Sequence, residues 1–281
     1  MTAPDPRLTP ARADLAAAYL RGTVTSARFV RGRLMRVTAP FADLRQSPRG
    51  DTGLDTQLLH GERITVYDES EGWAWGQAER DHYVGYAPAA ALGPDEAALP
   101  THLVAVRRSL VFPEPDLKRT PLMELSLGAR LCVVAEDARF ARLAEGGFVP
   151  AMHLAPVDAA EPDLARTAEK LVSVPYLWGG RTSAGLDCSA LVQLAAQRAG
   201  IDAPRDADQQ EDALGRDLGP DPELKRGDLV FWEGHVGLML DPLRVIHANV
   251  FHMAVAIEPL AVARARIQAA GWPVKRVKRI R

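Results

Sequence analysis

Cysteine is scarce: the chain holds two in 281 residues, Cys132 and Cys188. That excludes a disulfide framework and makes reduced thiols the simpler reading. No run of about 18 apolar residues occurs, so no membrane-crossing helix and no membrane insertion are expected. Neither sign of charge dominates. Lys and Arg number 34 against 36 Asp and Glu, a net charge of −2, which argues against nucleic acid as a partner. The basic end, Lys275-Arg276-Val277-Lys278-Arg279-Ile280-Arg281, is the one exception. It reads as a solvated segment, either a short helix turn or an irregular final strand. The first residues, Met1-Thr2-Ala3-Pro4-Asp5-Pro6, lack the basic and apolar regions of a secretory signal, so a cytoplasmic location is expected. The 47% of apolar residues in this length suffice for two or three compact domains.

Along the chain, Thr9 and Pro10 can open an amphipathic helix through Arg21, with Gly22 ending it, so residues 1–32 are expected to be an N-terminal helical segment. From about Arg33 short apolar runs are broken by turn residues. Gly61-Glu62-Arg63-Ile64-Thr65-Val66-Tyr67, Gly72-Trp73-Ala74-Trp75-Gly76-Gln77 and His82-Tyr83-Val84-Gly85-Tyr86-Ala87 predict a small β-barrel over 33–93. A linker at Leu92–Glu96 follows, and the texture then repeats over 98–156. Leu127–Val134, Phe140–Leu143 and Gly147–Pro150 echo the first unit, with Cys132 as small core filler. Beyond a second linker, Asp163 can cap a helix from Leu164 to about Ser173. Leu229–Trp232, Val236–Leu240 and Arg244–His247 then predict an antiparallel meander with turns at Glu233-Gly234 and Asp241-Pro242. A helix followed by such a sheet is an α+β layout.

The chemistry centres on Leu186-Asp187-Cys188-Ser189-Ala190-Leu191, where a glycine-containing loop becomes a helix. A thiol in a first helical turn meets backbone N–H groups and the positive end of the helix dipole, which favour thiolate. Thiolate catalysis needs a base and a group that orients the base. His235 starts a strand and His247 ends the next, each about equally far from the intervening turn, so they are expected to be neighbours. The bland readings are core histidines, or a zinc site of Cys188, His235, His247 and His252. No Cys-x-x-Cys or His-x-x-x-His pair supports zinc, so no metal and no cofactor are expected.

Taken together, Pro175-Tyr176-Leu177-Trp178-Gly179-Gly180, Leu186-Asp187-Cys188-Ser189-Ala190-Leu191-Val192, Arg226-Gly227-Asp228-Leu229-Val230-Phe231-Trp232, Gly234-His235-Val236-Gly237 and Ile246-His247-Ala248 closely resemble the NlpC-type cell-wall cysteine peptidases over 160–281. The preceding units resemble the paired bacterial SH3-like domains of the subgroup that cleaves γ-D-glutamyl-diamino-acid bonds in murein peptides. Ala42-Asp43-Leu44-Arg45, Thr56–Glu62, Gly72-Trp73 and Asp81–Tyr86 carry that likeness. The resemblance implies a papain-like catalytic domain behind two SH3-like β-barrels. It implies that Cys188 attacks, His235 serves as base and acid, and His247 orients His235.

It also implies that Tyr176 and the Cys188 N–H bind the oxyanion. Asp187 and Ser189 flank the nucleophile, and Asp187 would receive the ammonium of a free N-terminal L-alanine, a simple helix cap being the alternative. Tyr83 of the first barrel would contact substrate, with barrel core as its alternative, and Asp55 is a candidate second acid. The implied substrate is a short murein peptide such as L-Ala-γ-D-Glu-diaminopimelate, hydrolysed through an acyl-thioenzyme in peptide recycling. An acyltransferase or lipid amidase on the same fold is one rival. A wall- or partner-binding protein using the barrels is another. Oligomeric state is not legible.

Overall fold

A computed structural model describes residues 4–95 and 98–280. The expectations placed on Met1–Ala3, on Glu96 in the first linker and on Arg281 in the basic terminus fall outside these residues. The chain forms two compact units, Met1–Val157 and Asp158–Arg281.

The first unit does not open with an α-helix. Thr9–Arg21 instead contains the short strand β1 (Ala16–Ala17), a 3₁₀ turn at Ala18–Leu20, and β2 (Phe29–Val30), which pairs parallel with β1. Tertiary contacts overrode the amphipathic spacing. Leu15, Ala16 and Ala17 are all buried, and three consecutive positions cannot share one helix face. The Ala16 N–H donates to Arg28 O, a partner that a helix would not offer.

Two β-units follow. The first has β3 (Arg33–Val37), β4 (Phe41–Leu44), β5 (Thr56–Leu59), β6 (Arg63–Ser70), β7 (Trp73–Ala78), β8 (Val84–Pro88) and β9 (Leu92–Pro94). Its main sheet runs β8-β7-β6-β3-β9, with β4 and β5 paired apart. The second has β10 (His102–Val104), β11 (Arg108–Val111), β12 (Met123–Ser126), β13 (Arg130–Leu131), β14 (Val133–Glu136), β15 (Phe140–Leu143), β16 (Phe148–Pro150) and β17 (Leu154–Pro156). The same pairings recur: β10 between β13 and β17, β11 with β12, and β14-β15-β16. A 3₁₀ turn precedes the last strand in both units.

The repeat extends to single hydrogen bonds. Gly61 and Gly128, both at positive φ, donate to Val37 O and Val104 O at 2.9 Å. Gly61 is needed twice over, because a Cβ there would also meet the carbonyl oxygen of Arg130. Arg130 N–H in turn donates to His60 O at 2.8 Å, joining the two β-units. Each has its own core, one around Val37, Leu44, Leu58 and Ile64, the other around Val104, Leu125, Leu131 and Val149.

The second unit is α+β. It contains α1 (Leu164–Glu169), the ladder β18 (Arg181–Thr182) with β19 (Gly185–Leu186), α2 (Cys188–Arg198) and α3 (Ala207–Ala213). Then come β20 (Arg216–Asp217), β21 (Leu229–Trp232), β22 (His235–Met239), β23 (Arg244–Asn249), β24 (Ala254–Pro259), α4 (Leu260–Ala269) and β25 (Arg276–Arg279). Asp163 caps α1 through Ala165 and Arg166 N–H, although the helix ends before Ser173. The sheet is antiparallel throughout, in the order β20-β25-β21-β22-β23-β24. The basic terminus therefore supplies a strand. Helix α2 is buried nearly all round, as suits a central helix packed on the sheet.

Candidate active site

Helix α2 places the nucleophile. Cys188 is its first residue and Asp187 its N-cap, the cap carboxylate accepting from Ala190 N–H at 2.8 Å. The preceding loop is pinned on both sides. Tyr176 N–H donates to Met253 O at 2.9 Å, and Leu177 N–H donates to Leu186 O at 3.0 Å.

Asp187 is fully engaged inside the protein. Its Oδ1 also accepts from Ser189 Oγ (3.2 Å) and Arg205 Nη1 (3.0 Å), and its Oδ2 from Arg205 Nη2 (2.6 Å) and Gly179 N–H (3.0 Å). Ser189 Oγ is taken as well, by Arg205 Nη1 at 2.8 Å. These contacts favour the helix-cap reading of Asp187 over ammonium binding, and they occupy Ser189 as well. Both are buried, and a carboxylate already neutralised by a buried guanidinium has little left to offer an ammonium. They clamp the loop, the helix start and Arg205 together.

The sheet places the base. Leu238 faces Ile246 and Met239 faces Val245, which brings His247 to the level of Gly237, diagonal to His235 on the same face. Glycine at 237 suits the close strand packing here, since a Cβ would lie 2.6 Å from the Val245 side chain. His235 Nε2 lies 2.9 Å from His247 Nδ1, and His247 Nε2 lies 2.8 Å from Glu258 Oε1. Arg266 grips both Glu258 oxygens, at 2.5 and 2.8 Å. The Trp232 ring lies against His235 at 5.4 Å between centroids.

These partners determine the tautomers. Glu258 is a carboxylate, held down to about pKa 2 chiefly by Arg266, so it can only accept. His247 must then carry its proton on Nε2, leaving Nδ1 to accept from His235 Nε2–H. His235 Nδ1 is left with a lone pair, the form a general base requires. Cys188 Sγ lies 4.0 Å from the carbonyl oxygen of Gly234, the residue just before His235.

The expected thiolate is not the resting form. Burial, and next the Asp187 charge, push the Cys188 thiol up to about 12, outweighing the opposing pull of the Val236 and Ser189 N–H groups and Arg205. Burial likewise lowers His235 to about 3, with His247 and Arg266 adding to the effect. The pair rests as neutral thiol and neutral imidazole, so the proton must pass from Cys188 to His235 as sulfur attacks. Tyr176 is pushed upward by burial and by Cys188 and Asp187, and stays a neutral hydroxyl near the nucleophile, able to donate to an oxyanion.

His247, His252 and Glu258 bring one ligand atom each within 4.8 Å of one another. Arg266 already supplies the positive charge there, so the donor set does not fit a resident metal. Tyr83 and Asp55 lie in the first compact unit, where Tyr83 is buried in the barrel core. They line a common cavity with Arg12, Trp75 and Tyr86. Arg205, Glu258 and Arg266 were not singled out from sequence. Glu258 was findable, because alternation along Ala254-Val255-Ala256-Ile257-Glu258 puts this lone acid on the face that carries His247.

The lowered histidines make stability depend on pH. Unfolding returns both to about 6.5, where they take up protons that the folded state refuses. Stability is thus full above about pH 7 and falls below 6.5, with Glu258 adding to the loss below its ordinary value of 4.5. His235 alone contributes at most about 2 kcal/mol of loss by pH 5. Urea unfolding at pH 7.5 and 5.0 checks this, and an unchanged midpoint would contradict the neutral, desolvated pair.

An α+β domain with a helix-borne cysteine and a strand-borne histidine pair defines a cysteine-peptidase type of site. Residues 173–267 match the NlpC/P60 family, and residues 44–92 match the bacterial dipeptidyl-peptidase SH3 domain. The chain carries an NlpC/P60 peptidase domain behind a bacterial SH3 domain. It is 28% identical over 236 residues to dipeptidyl-peptidase 6 of Lysinibacillus sphaericus, covering 76% of this chain and 86% of that protein. It is also 28% identical over 240 residues to the γ-D-glutamyl-L-lysine dipeptidyl-peptidase of Bacillus cereus, covering 74% of this chain and 71% of the relative. The crystal structure of an NlpC/P60 family protein from Bacillus cereus shares the fold, with a TM-score of 0.75 at 21% identity over 88% of this chain and 99% of that one.

Proposed function

We propose that this protein hydrolyses the bond between D-glutamate and the diamino acid in short murein peptides, releasing the dipeptide from a free amino terminus. The observation that carries this reading is that the likeness to two proteins named dipeptidyl-peptidases, one of them for γ-D-glutamyl-L-lysine, covers about three quarters of this chain. A dipeptidyl-peptidase counts two residues from a free amine, which suits L-Ala-γ-D-Glu as the acyl half.

Cys188 attacks the γ-carbonyl of the D-glutamyl residue while its proton passes to His235 Nδ1. The Cys188 N–H and Tyr176 take the oxyanion. His235 returns the proton to the departing amine, leaving an L-Ala-γ-D-Glu thioester. Water, deprotonated by the same imidazole, then frees the dipeptide. Through both halves His247 holds the ring by accepting from Nε2.

The test is incubation with L-Ala-γ-D-Glu-L-Lys, its diaminopimelate counterpart and the N-acetylated form of each, with Cys188→Ala as control. Free peptides should be cut, and acetylated ones at least about tenfold more slowly, the scale of one hydrogen-bonded charge. Equal rates would remove the free-amine requirement. No cleavage of any peptide would remove the substrate class.

A further inference from the structure

We propose that the Glu258–Arg266 ion pair is the terminal positioning element of this active site. Acting through His247, it fixes which nitrogen of His235 carries the proton and tunes how readily His235 takes one from Cys188. This rests on the peptidase reading above.

The pair is built into the fold. Strand β24 pairs Ala256 with His247 and Glu258 with Val245, so Glu258 sits one step along the face that carries His247. Its chain continues through Pro259 directly into α4, which returns Arg266 to the same carboxylate. Arg266 is held from its other side, with its guanidinium 4.1 Å from the centre of the Phe251 ring. Glu258 is 7% exposed and His247 0%, so the link from Glu258 to His247 is shielded from water, while Arg266 closes it from the partly exposed side.

Each partner has a separate job. A carboxylate alone behind two histidines would make His235 the stronger base and carry its acid limb toward neutral pH. A neutral acceptor would orient His247 equally well but would not steady the imidazolium formed during attack. Carboxylate and guanidinium together give orientation with a reduced field. The charged and titratable groups acting on the histidines are His252 from the β23–β24 turn, Glu258 from β24 and Arg266 from α4, while Cys188 on α2 lies by the Gly234 carbonyl next to His235. His252 is held by Asn249 Oδ1, which accepts its backbone N–H at 2.9 Å and lies 3.0 Å from its Nδ1.

The two charges therefore push His235 in opposite directions, and that makes the proposal testable without substrate. Alkylation of Cys188 by iodoacetamide at pH 7 reads how readily the thiol proton moves to His235. Peptide mass analysis separates Cys188 from Cys132. Glu258→Gln keeps an acceptor but loses the charge, and should slow alkylation about three- to tenfold. Arg266→Met keeps a stem for Phe251 but frees the carboxylate, and should speed it by a similar factor. Arg266→Lys keeps the charge and should stay within about twofold of the parent chain. Circular dichroism melts check that each variant is folded, and if Arg266→Met is not, Glu258→Gln against Arg266→Lys decides.

Equal slowing by Glu258→Gln and Arg266→Met would reduce the ion pair to packing and overturn the proposal, as would no change in Glu258→Gln. On murein peptide the acid limb of kcat/KM should move to lower pH in Glu258→Gln and higher in Arg266→Met. If no peptide is cut but the alkylation rates still diverge, the substrate class fails and this inference stands.

Discussion

Replacing Asp187 with alanine should destabilise the catalytic unit by about 3–5 kcal/mol, enough to unfold a marginal domain. The reason is Arg205. Its side chain is 1% exposed, and the Asp187 carboxylate is the acid paired with it, at 2.6 Å. Deleting that acid takes a 2.6 Å counter-charge from a desolvated guanidinium, while the Gly179 and Ala190 N–H groups lose their acceptor. The N-cap of α2 goes as well, which alone is worth about 1 kcal/mol. Asp187→Asn retains a cap oxygen and should lose less. Adding Arg205→Met to Asp187→Asn should recover part of the deficit, because removing both charges is far less damaging than removing one. Urea unfolding of the four chains gives the cycle. A loss under about 1 kcal/mol for Asp187→Ala would mean that the carboxylate is not committed to the fold, and would revive it as a receptor for a substrate ammonium.

That reassignment shows where sequence reading stopped. The position of Asp187 before a helix was legible, and so were both of its readings, cap and ammonium receptor. What decides between them is Arg205, which lies in a polar stretch, Asp202 to Asp221, with no local sign that one arginine folds back on the helix start. The β-units and the meander were legible because period-two alternation and turn residues are local. That His235 and His247 are neighbours followed from counting to one turn, but the register sets them diagonally and not at equal distance from it. The N-terminal segment was misjudged for the opposite reason. Its burial is set by Phe29 and Arg28 pairing back on Ala16, a contact that helical spacing cannot register. The resting state of the thiol was also misjudged. A helix terminus favours thiolate, but Cys188 lies under enough protein for desolvation to outweigh it.

That neutral resting state gives the largest catalytic prediction. With the thiol near 12, only about one molecule in 10⁵ would be ionised at pH 7 without help from a base. His235→Ala should therefore lower kcat/KM by about 10⁵-fold, since sulfur must then wait for solvent to remove its proton. The residual rate carries its own signature. It should rise about tenfold for each pH unit between 7 and 9, because thiolate grows in that proportion while the thiol is far below its midpoint. His247→Leu should be milder, about 10²- to 10⁴-fold. It leaves His235 in place but removes the acceptor that keeps Nε2 protonated, so the ring spends time in the wrong tautomer and orientation. Its pH dependence should stay shallow, since a base is still present. A residual rate in His235→Ala that is flat with pH would mean that another group takes the Cys188 proton, and the assignment of His235 as base would fall.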